Sequence, residues 1–181
     1  MAQPEHQIED IIALFNQCFL QPYNTRLVKG GDEPIYLPAG PGQPNHELHF
    51  AHGFYRSALH ETAHWLIAGA ARRQQVDFGY WYEPDGRSAE QQMIFEQVEV
   101  KPQALEWILS VAAGIRFQVS VDNLNGEATD SNPFKQAVYQ QVLTLIQQGL
   151  STRAETLRLS LCHFYGQSEQ LTPEQFDPLS L

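Results

Sequence analysis

The sequence contains few cysteines, few basic residues and no long apolar run. Two cysteines, Cys18 and Cys162, occur among its 181 residues, which is too few for a disulfide framework or a cysteine-rich zinc site. Its 11 lysines and arginines stand against 21 aspartates and glutamates, which gives a formal net charge of −10. This charge disfavours a nucleic-acid backbone or an anionic membrane as the main partner, and it favours a cationic or polar substrate.

Secretory and membrane-spanning patterns are also missing. No apolar stretch approaches the roughly 18 residues that a transmembrane helix needs. The N-terminus, MAQPEHQIEDII, begins with acidic residues and lacks the basic and apolar regions of a signal peptide. We therefore expect a cytoplasmic protein that works without direct contact to membrane or nucleic acid.

The sequence does contain enough apolar material for a globular core. Apolar residues make up 43% of the chain and aromatic residues 11%, which argues against disorder. The Pro/Gly-rich stretch PAGPGQP is short enough for a surface loop. Residues 1–181 are therefore expected to form a single domain.

Hydrophobic periodicity predicts an α+β fold with helices in the majority and a small mixed sheet. One helix is predicted over residues 8–19, ended by Pro22, and another over residues 55–73. Ser88 and Gln91 resemble a capping box for a helix of about ten residues, and Pro102 is expected in the first turn of the next helix. Two further helices follow Asn132 and Ser151, and the predicted strands are RLVK, PIYL, HELHFAHG, DFGYWYE and FQVSV.

The predicted helix over residues 55–73 carries the motif His60-Glu61-Thr62-Ala63-His64. Histidines four residues apart lie on one face of a helix, about one turn from each other, so both imidazoles can bind one metal ion. Two surface histidines with no shared ligand would be the ordinary alternative. The helical context favours a metal site.

A metal bound by two histidines needs a third ligand, and the acidic candidates are Glu96 and Glu99. Glu99 lies next to the expected break at Pro102, where a change of chain direction could aim a carboxylate at the histidines. Glu96 is expected on a solvent-facing side of its helix. We therefore favour Glu99 as the third ligand.

The motif leaves the metal and the reaction open. With Zn(II), Glu61 would be the general base of a hydrolase acting on peptide or RNA bonds. With Fe(II), the same three ligands would form the facial triad of an oxygenase. A binding module that the metal only stabilises is the third possibility.

Further residues are candidates for supporting roles. His52 precedes the metal motif by eight residues and could donate a hydrogen bond to a ligand, but a strand-end histidine with no metal role is the more ordinary interpretation. Tyr80 and Trp81 of the aromatic strand, with Glu83 and Asp85 after them, could contact a cationic amine through ring faces and carboxylates. An ordinary strand with one buried aromatic face is the favoured alternative.

Four stretches of the sequence resemble the elongation factor P hydroxylase family of bacteria. They are NTRLVKGGDEPIYLPA, FAHGFYRSALHETAHWLIAGAARR, VDFGYWYEPDGR and FEQVEVKPQALEW. The resemblance is continuous from about Asn24 to Asn125 and looser outside this range.

The resemblance implies a function that spacing alone does not give. It implies hydroxylation of the β-lysyl-modified lysine of elongation factor P, with dioxygen as co-substrate and Fe(II) held by His60, His64 and Glu99. It also implies a fold similar to the zincin-like endoribonuclease YbeY. In this function Glu61 would handle protons near the metal, and Tyr80, Trp81, Glu83 or Asp85 would contact the cationic lysyl arm.

Overall fold

The computed structural model describes residues 6–78, 85–121, 123, 125–127 and 129–181. In this part of the chain it contains a small mixed sheet and a majority of helices, which confirms the predicted α+β class. The elements in chain order are α1 (Ile8–Tyr23), β1 (Thr25–Lys29), β2 (Ile35–Leu37), β3 (His46–Phe50), α2 (Tyr55–Ile67), α3 (Ala89–Ala113), α4 (Asn132–Gln148) and α5 (Thr152–Tyr165), with short 3-10 helices at Arg72–Gln74, Pro173–Gln175 and Pro178–Ser180.

The sheet has the order β1-β3-β2, with β3 parallel to β1 and antiparallel to β2. The strands predicted on either side of Gly30 both form, but they do not pair with each other because β3 lies between them. Leu48 at the centre of β3 is in register with Leu27 of β1 and Tyr36 of β2, and all three are buried. The middle position lets β3 bury this row while both of its edges are hydrogen-bonded.

The predicted C-terminal end of the first helix is wrong. Pro22 lies inside the last turn of α1, which continues to Tyr23. Pro22 removes one backbone N–H from the last turn, and burial of Ile11, Leu14, Phe15 and Phe19 offsets this cost. Asn24, with a φ of 49°, closes the helix and donates its N–H to the carbonyl of Phe19.

Helix α2 is shorter than the sequence predicts and ends at Ile67. The basic pair predicted to end it belongs to the separate turn Arg72–Gln74. The carbonyls at the end of α2 are bonded by a side chain from another helix instead. Arg153 of α5 donates to the oxygens of Trp65 and Ala68, at 2.9 and 2.7 Å.

Helix α3 is a single helix of 25 residues, and the break predicted at Pro102 is absent. The predicted capping box at Ser88 and the C-terminal Gly114 both form. A proline inside a helix costs about 3 kcal/mol, but burial of the apolar side chains that follow Pro102 in the helix offsets this cost. These buried side chains are Ala104, Leu105, Trp107, Ile108, Leu109, Ala112 and Ala113.

Helix α3 also links the two hydrophobic clusters of the fold. One cluster joins α1, the sheet, α2 and α5 to one side of α3. The other places α4 and the C-terminal segment against Ala104, Trp107 and Ile108 of α3. The first cluster holds α2 and α3 in contact, which positions the motif histidines next to α3.

The segment FQVSV is not a strand. Residues 117–121 are irregular, and polar side chains bond their backbone in place of a neighbouring strand. The other predicted aromatic strand, DFGYWYE, falls mostly outside the described residues. None of the described helices combines the length and apolar character that a bilayer span requires.

Candidate metal centre

The two histidines of the motif lie on one face of α2. His60 and His64 are one helical turn apart, and their Nε2 atoms are separated by 3.0 Å. Both rings reach a cleft, with 23% of the His60 side chain and 12% of the His64 side chain exposed. The opposite face of the helix is anchored in the core by Ala58, Leu59, Ala63, Trp65 and Leu66.

Helix α3 brings a carboxylate to this pair. The Glu99 side chain is 1% exposed, and its oxygens lie 3.7 Å from Nε2 of His60 and 3.3 Å from Nε2 of His64. One nitrogen of each ring and one oxygen of Glu99 lie within 4.8 Å of one another. Glu96 instead accepts a hydrogen bond of 3.1 Å from Gln92. The structure therefore places Glu99, rather than Glu96, beside the histidines.

This donor set fits a divalent metal ion. Oε1 of Glu99 is buried and lies 3.3 Å from Nε2 of His64, but no described residue donates a well-directed hydrogen bond to it. A buried carboxylate oxygen with no well-directed donor is costly, and a cation between the two imidazoles would bind it. Two imidazoles and a carboxylate suit either Fe(II) or Zn(II), so the ligands alone do not select the metal.

The surrounding charges also favour a cation. Burial acts to raise the pKa of Glu99, but the two imidazoles and the Gln103 amide hold this pKa below its ordinary value. Burial acts to lower the pKa of His60, yet the carboxylates of Glu106 and Glu99 raise it well above its ordinary value. Burial raises the pKa of Glu61, against the effect of the two histidines. The carboxylates of Glu61, Glu99 and Glu106 surround the two imidazoles and form an environment that attracts positive charge.

Glu106 is a site residue that the sequence reasoning missed. Its Oε2 lies 2.8 Å from Nδ1 of His60, on the side of the ring away from Glu99. Glu99 and Glu106 are seven residues apart, two turns along the same helix face. This spacing could have identified Glu106, but the break expected at Pro102 separated the two glutamates.

Gln103 is the second residue that was missed, for the same reason. It lies one turn after Glu99, is buried, and donates a hydrogen bond of 3.1 Å to Oε2 of Glu99. The amide therefore bonds Oε2, the oxygen 3.7 Å from Nε2 of His60, whereas Oε1 lies 3.3 Å from Nε2 of His64.

The ligand group opens into a cleft of about 880 Å³. Helices α2 and α3 form its base, and residues 32–34 and 116–120 form its sides. A volume of this size is within the range of small-molecule sites and admits a long side chain. The structure thus joins a potential metal site to a space for a substrate.

Two further residues predicted for the site, Glu61 and His52, both line the cleft but differ in their contacts. The His52 ring lies 6.3 Å from that of Phe54, between centroids, and Glu106 makes the contact to His60 that was expected of His52. The roles of Glu61 and His52 stay predictions.

Asp85 is engaged within the protein. Its carboxylate accepts hydrogen bonds from the backbone of Gly86 and from the backbone and side chain of Asn125. Tyr80, Trp81 and Glu83 lie outside the described residues. Substrate contact by these four residues stays a prediction.

Comparison with known proteins gives the family. The family model for elongation factor P hydroxylase matches residues 14–176. A curated protein of Haemophilus influenzae named elongation factor P lysine hydroxylase is 63% identical over 173 residues, which are 96% of this chain and 97% of that protein. The family match includes both motif histidines and Glu99. The chain therefore belongs to the elongation factor P hydroxylase family.

Proposed function

We propose that this protein hydroxylates a lysine of elongation factor P and that this lysine carries the β-lysyl modification. Family membership supports the reaction and the protein substrate. The structural observation that carries the proposal is the group His60, His64 and Glu99, whose two histidines line an open cleft. Such a protein would act in the cytoplasm, where translation takes place.

We further propose Fe(II) as the metal, with His60, His64 and Glu99 as its ligands. Hydroxylation of an unactivated C–H bond needs a redox-active metal with open coordination positions, and iron held by three protein ligands supplies this chemistry. The reaction takes one oxygen atom from dioxygen and two electrons from an external reductant, and the second oxygen atom leaves as water.

The residues of the cleft have separate tasks in this proposal. Glu106 accepts a hydrogen bond from His60 and holds its Nε2 toward Glu99. Gln103 orients the Glu99 carboxylate. Glu61 lies beside both histidines on α2 and would accept or return a proton at the cleft surface.

The cleft contains carboxylates that would contact a lysyl arm. Asp32, Glu33, Glu61 and Glu106 line it, together with Arg56, Arg87 and Arg116. An arm with ammonium groups would be attracted to the carboxylates and repelled by the arginines, so the lining would orient the arm within the cleft.

Mass spectrometry of β-lysylated elongation factor P tests the proposal. The substrate is incubated with reductant and air together with protein loaded with either Fe(II) or Zn(II), and His60→Ala is the control. We expect one added oxygen atom on the modified lysine with Fe(II), and none with Zn(II) or with the variant. Cleavage of peptide or RNA bonds by the zinc form, without oxygen transfer, would support the hydrolase alternative instead.

A further inference from the structure

One wall of the cleft is an irregular segment fixed mainly by side chains. Residues 117–120 line the cleft consecutively, directly after the turn that ends α3. Phe117 is anchored by stacking on Trp107, with 5.5 Å between ring centroids. At the other end of the segment, buried side chains of α3 bond the backbone. We refer to residues 117–120 as the cleft wall.

Gln103 makes the contact at Ser120. Its Oε1 accepts from the Ser120 N–H at 3.0 Å, and its Nε2 donates to the Ser120 carbonyl at 2.8 Å. The same Nε2 donates to Oε2 of Glu99 at 3.1 Å. One buried amide therefore joins a metal-ligand candidate to the backbone of the cleft wall, and both of its hydrogens are used.

A second glutamine of α3 makes a parallel set of contacts. Gln92 is equally buried, and its Nε2 donates to the carbonyl of Val121 and to Oε1 of Glu96, both at 3.1 Å. The two glutamines hold neighbouring residues of the same segment. Gln103 contacts Glu99, whereas Gln92 contacts Glu96, which is not part of the histidine group, and accepts a hydrogen bond of 2.8 Å from the buried Arg87.

We propose that Gln103 is a positioning residue that couples occupancy of the metal centre to the position of the cleft wall. The substrate-facing role of that wall rests on the proposed function. When Glu99 binds a cation, its carboxylate loses rotational freedom, and the amide bonded to Oε2 is restrained with it. Ser120 is bonded to both ends of this amide, so its backbone is restrained as well. By linkage, a wall held in this position also favours metal binding.

Hydrogen exchange of the purified protein tests this coupling without substrate. The exchange of the Ser120 amide reports directly on its bond to Gln103, because that N–H is the donor. We expect added Co(II) to slow exchange at Ser120 in the wild-type protein. Saturation with Co(II) that leaves Ser120 exchange unchanged would overturn the proposal, and this measurement needs no variant.

Two matched variants separate positioning from general packing. Gln103→Met should weaken Co(II) binding roughly 10- to 100-fold, as outer-shell substitutions do, and abolish the effect of Co(II) on Ser120 exchange. Gln92→Met removes an equally buried amide, which bonds Val121, the residue after Ser120. It should therefore loosen the segment while Co(II) affinity stays at the wild-type value. Equal loss of affinity in both variants, or no loss in Gln103→Met, would refute the role of Gln103.

The outcome is independent of catalysis. Protein that binds Co(II) and slows Ser120 exchange, but leaves elongation factor P unmodified with Fe(II), would refute the proposed function and support the coupling. Hydroxylation by a protein whose Ser120 exchange is unchanged by the metal would support the proposed function and refute the coupling.

Discussion

His60 and Glu106 form a hydrogen-bonded pair at the base of the cleft, with 2.8 Å between Nδ1 and Oε2. With a carboxylate accepting at Nδ1, the neutral imidazole carries its proton there, and the lone pair lies on Nε2, 3.0 Å from Nε2 of His64. This nitrogen is the one that faces Glu99. Glu106 thereby selects the form of His60 that can bind a metal.

Removing this acceptor should weaken metal binding. We expect Glu106→Leu to lower Co(II) affinity roughly 10- to 100-fold, because the His60 ring loses its fixed tautomer and orientation. Glu106→Gln keeps an oxygen acceptor without the charge, and its affinity should lie between those of Glu106→Leu and the wild type. Calorimetric titration measures all three proteins, and a wild-type affinity in Glu106→Leu would contradict the assignment.

Substitution of Glu99 and substitution of Glu96, both on α3, should have very different effects on Co(II) affinity. Glu99→Gln removes the carboxylate beside both histidines, so its loss of Co(II) affinity should exceed the roughly 100-fold that outer-shell changes cost. Glu96→Gln is the matched control and should bind as the wild type does, because Glu96 is bonded to Gln92 instead. The visible spectrum of bound Co(II) reports the ligand set, and loss of binding in Glu96→Gln with retention in Glu99→Gln would reverse the assignment.

Sequence spacing could identify His60 and His64 because a short motif on a helix carries its own geometry. Glu99 was also predicted, but through an argument that the structure does not support. The reasoning needed a break at Pro102 to turn the carboxylate, whereas α3 is continuous and presents Glu99 from its buried face. The same assumption concealed Gln103 and Glu106, since residues on two separate helices share no common face.

Glu61 should affect turnover more than metal binding. Its carboxylate lies beside the ligand group and lines the cleft, and the ligand candidates are His60, His64 and Glu99. We expect Glu61→Gln to bind Co(II) as the wild type does and to retain part of the hydroxylation rate. Under the same assay His60→Ala should lose both. Activity lost as completely in Glu61→Gln as in His60→Ala would exclude a supporting role.

Arg153 should contribute to stability through the end of α2. Its guanidinium bonds two helix-end carbonyls and lies 4.6 Å from the centroid of the Trp65 ring. Arg153→Met leaves these carbonyls without their donor, so we expect a loss of about 1–3 kcal/mol in the free energy of unfolding. Arg56→Met is the control, because Arg56 is exposed and its hydrogen bond to Gln118 is long, at 3.5 Å. Urea denaturation of both variants should show the difference, and equal losses would contradict it.

The stability of the fold should depend on pH through Glu47, a residue of the sheet. Its hydrogen bond with Arg26 lowers the pKa of this carboxyl, with a further contribution from His49. A carboxyl whose pKa is lower in the folded state stabilises the fold above its unfolded pKa, and this stability is lost as pH falls through the folded value. The wild type should therefore exceed Glu47→Gln in melting temperature above about pH 5, with the gap closing on further acidification. A gap that widens as the pH falls would contradict the sign.

Helix and strand positions were predictable where local pattern and tertiary packing agree. Helices α4 and α5 follow the predicted starts near Asn132 and Ser151. Pro22 and Pro102 misled the prediction because burial outweighs the local cost of a proline. The FQVSV segment alternates as a strand does, yet glutamine and arginine side chains bond its backbone, which no local pattern could indicate.

Isotope labelling of the product tests the central proposal most directly. Fe(II)-loaded protein is incubated with β-lysylated elongation factor P, a reductant and dioxygen enriched in heavy oxygen, and the modified peptide is analysed by mass spectrometry. The proposed reaction predicts one heavy oxygen atom on the modified lysine, and none in His60→Ala or when only the water is labelled. An unmodified lysine, or oxygen that comes from water, would contradict hydroxylation at this site.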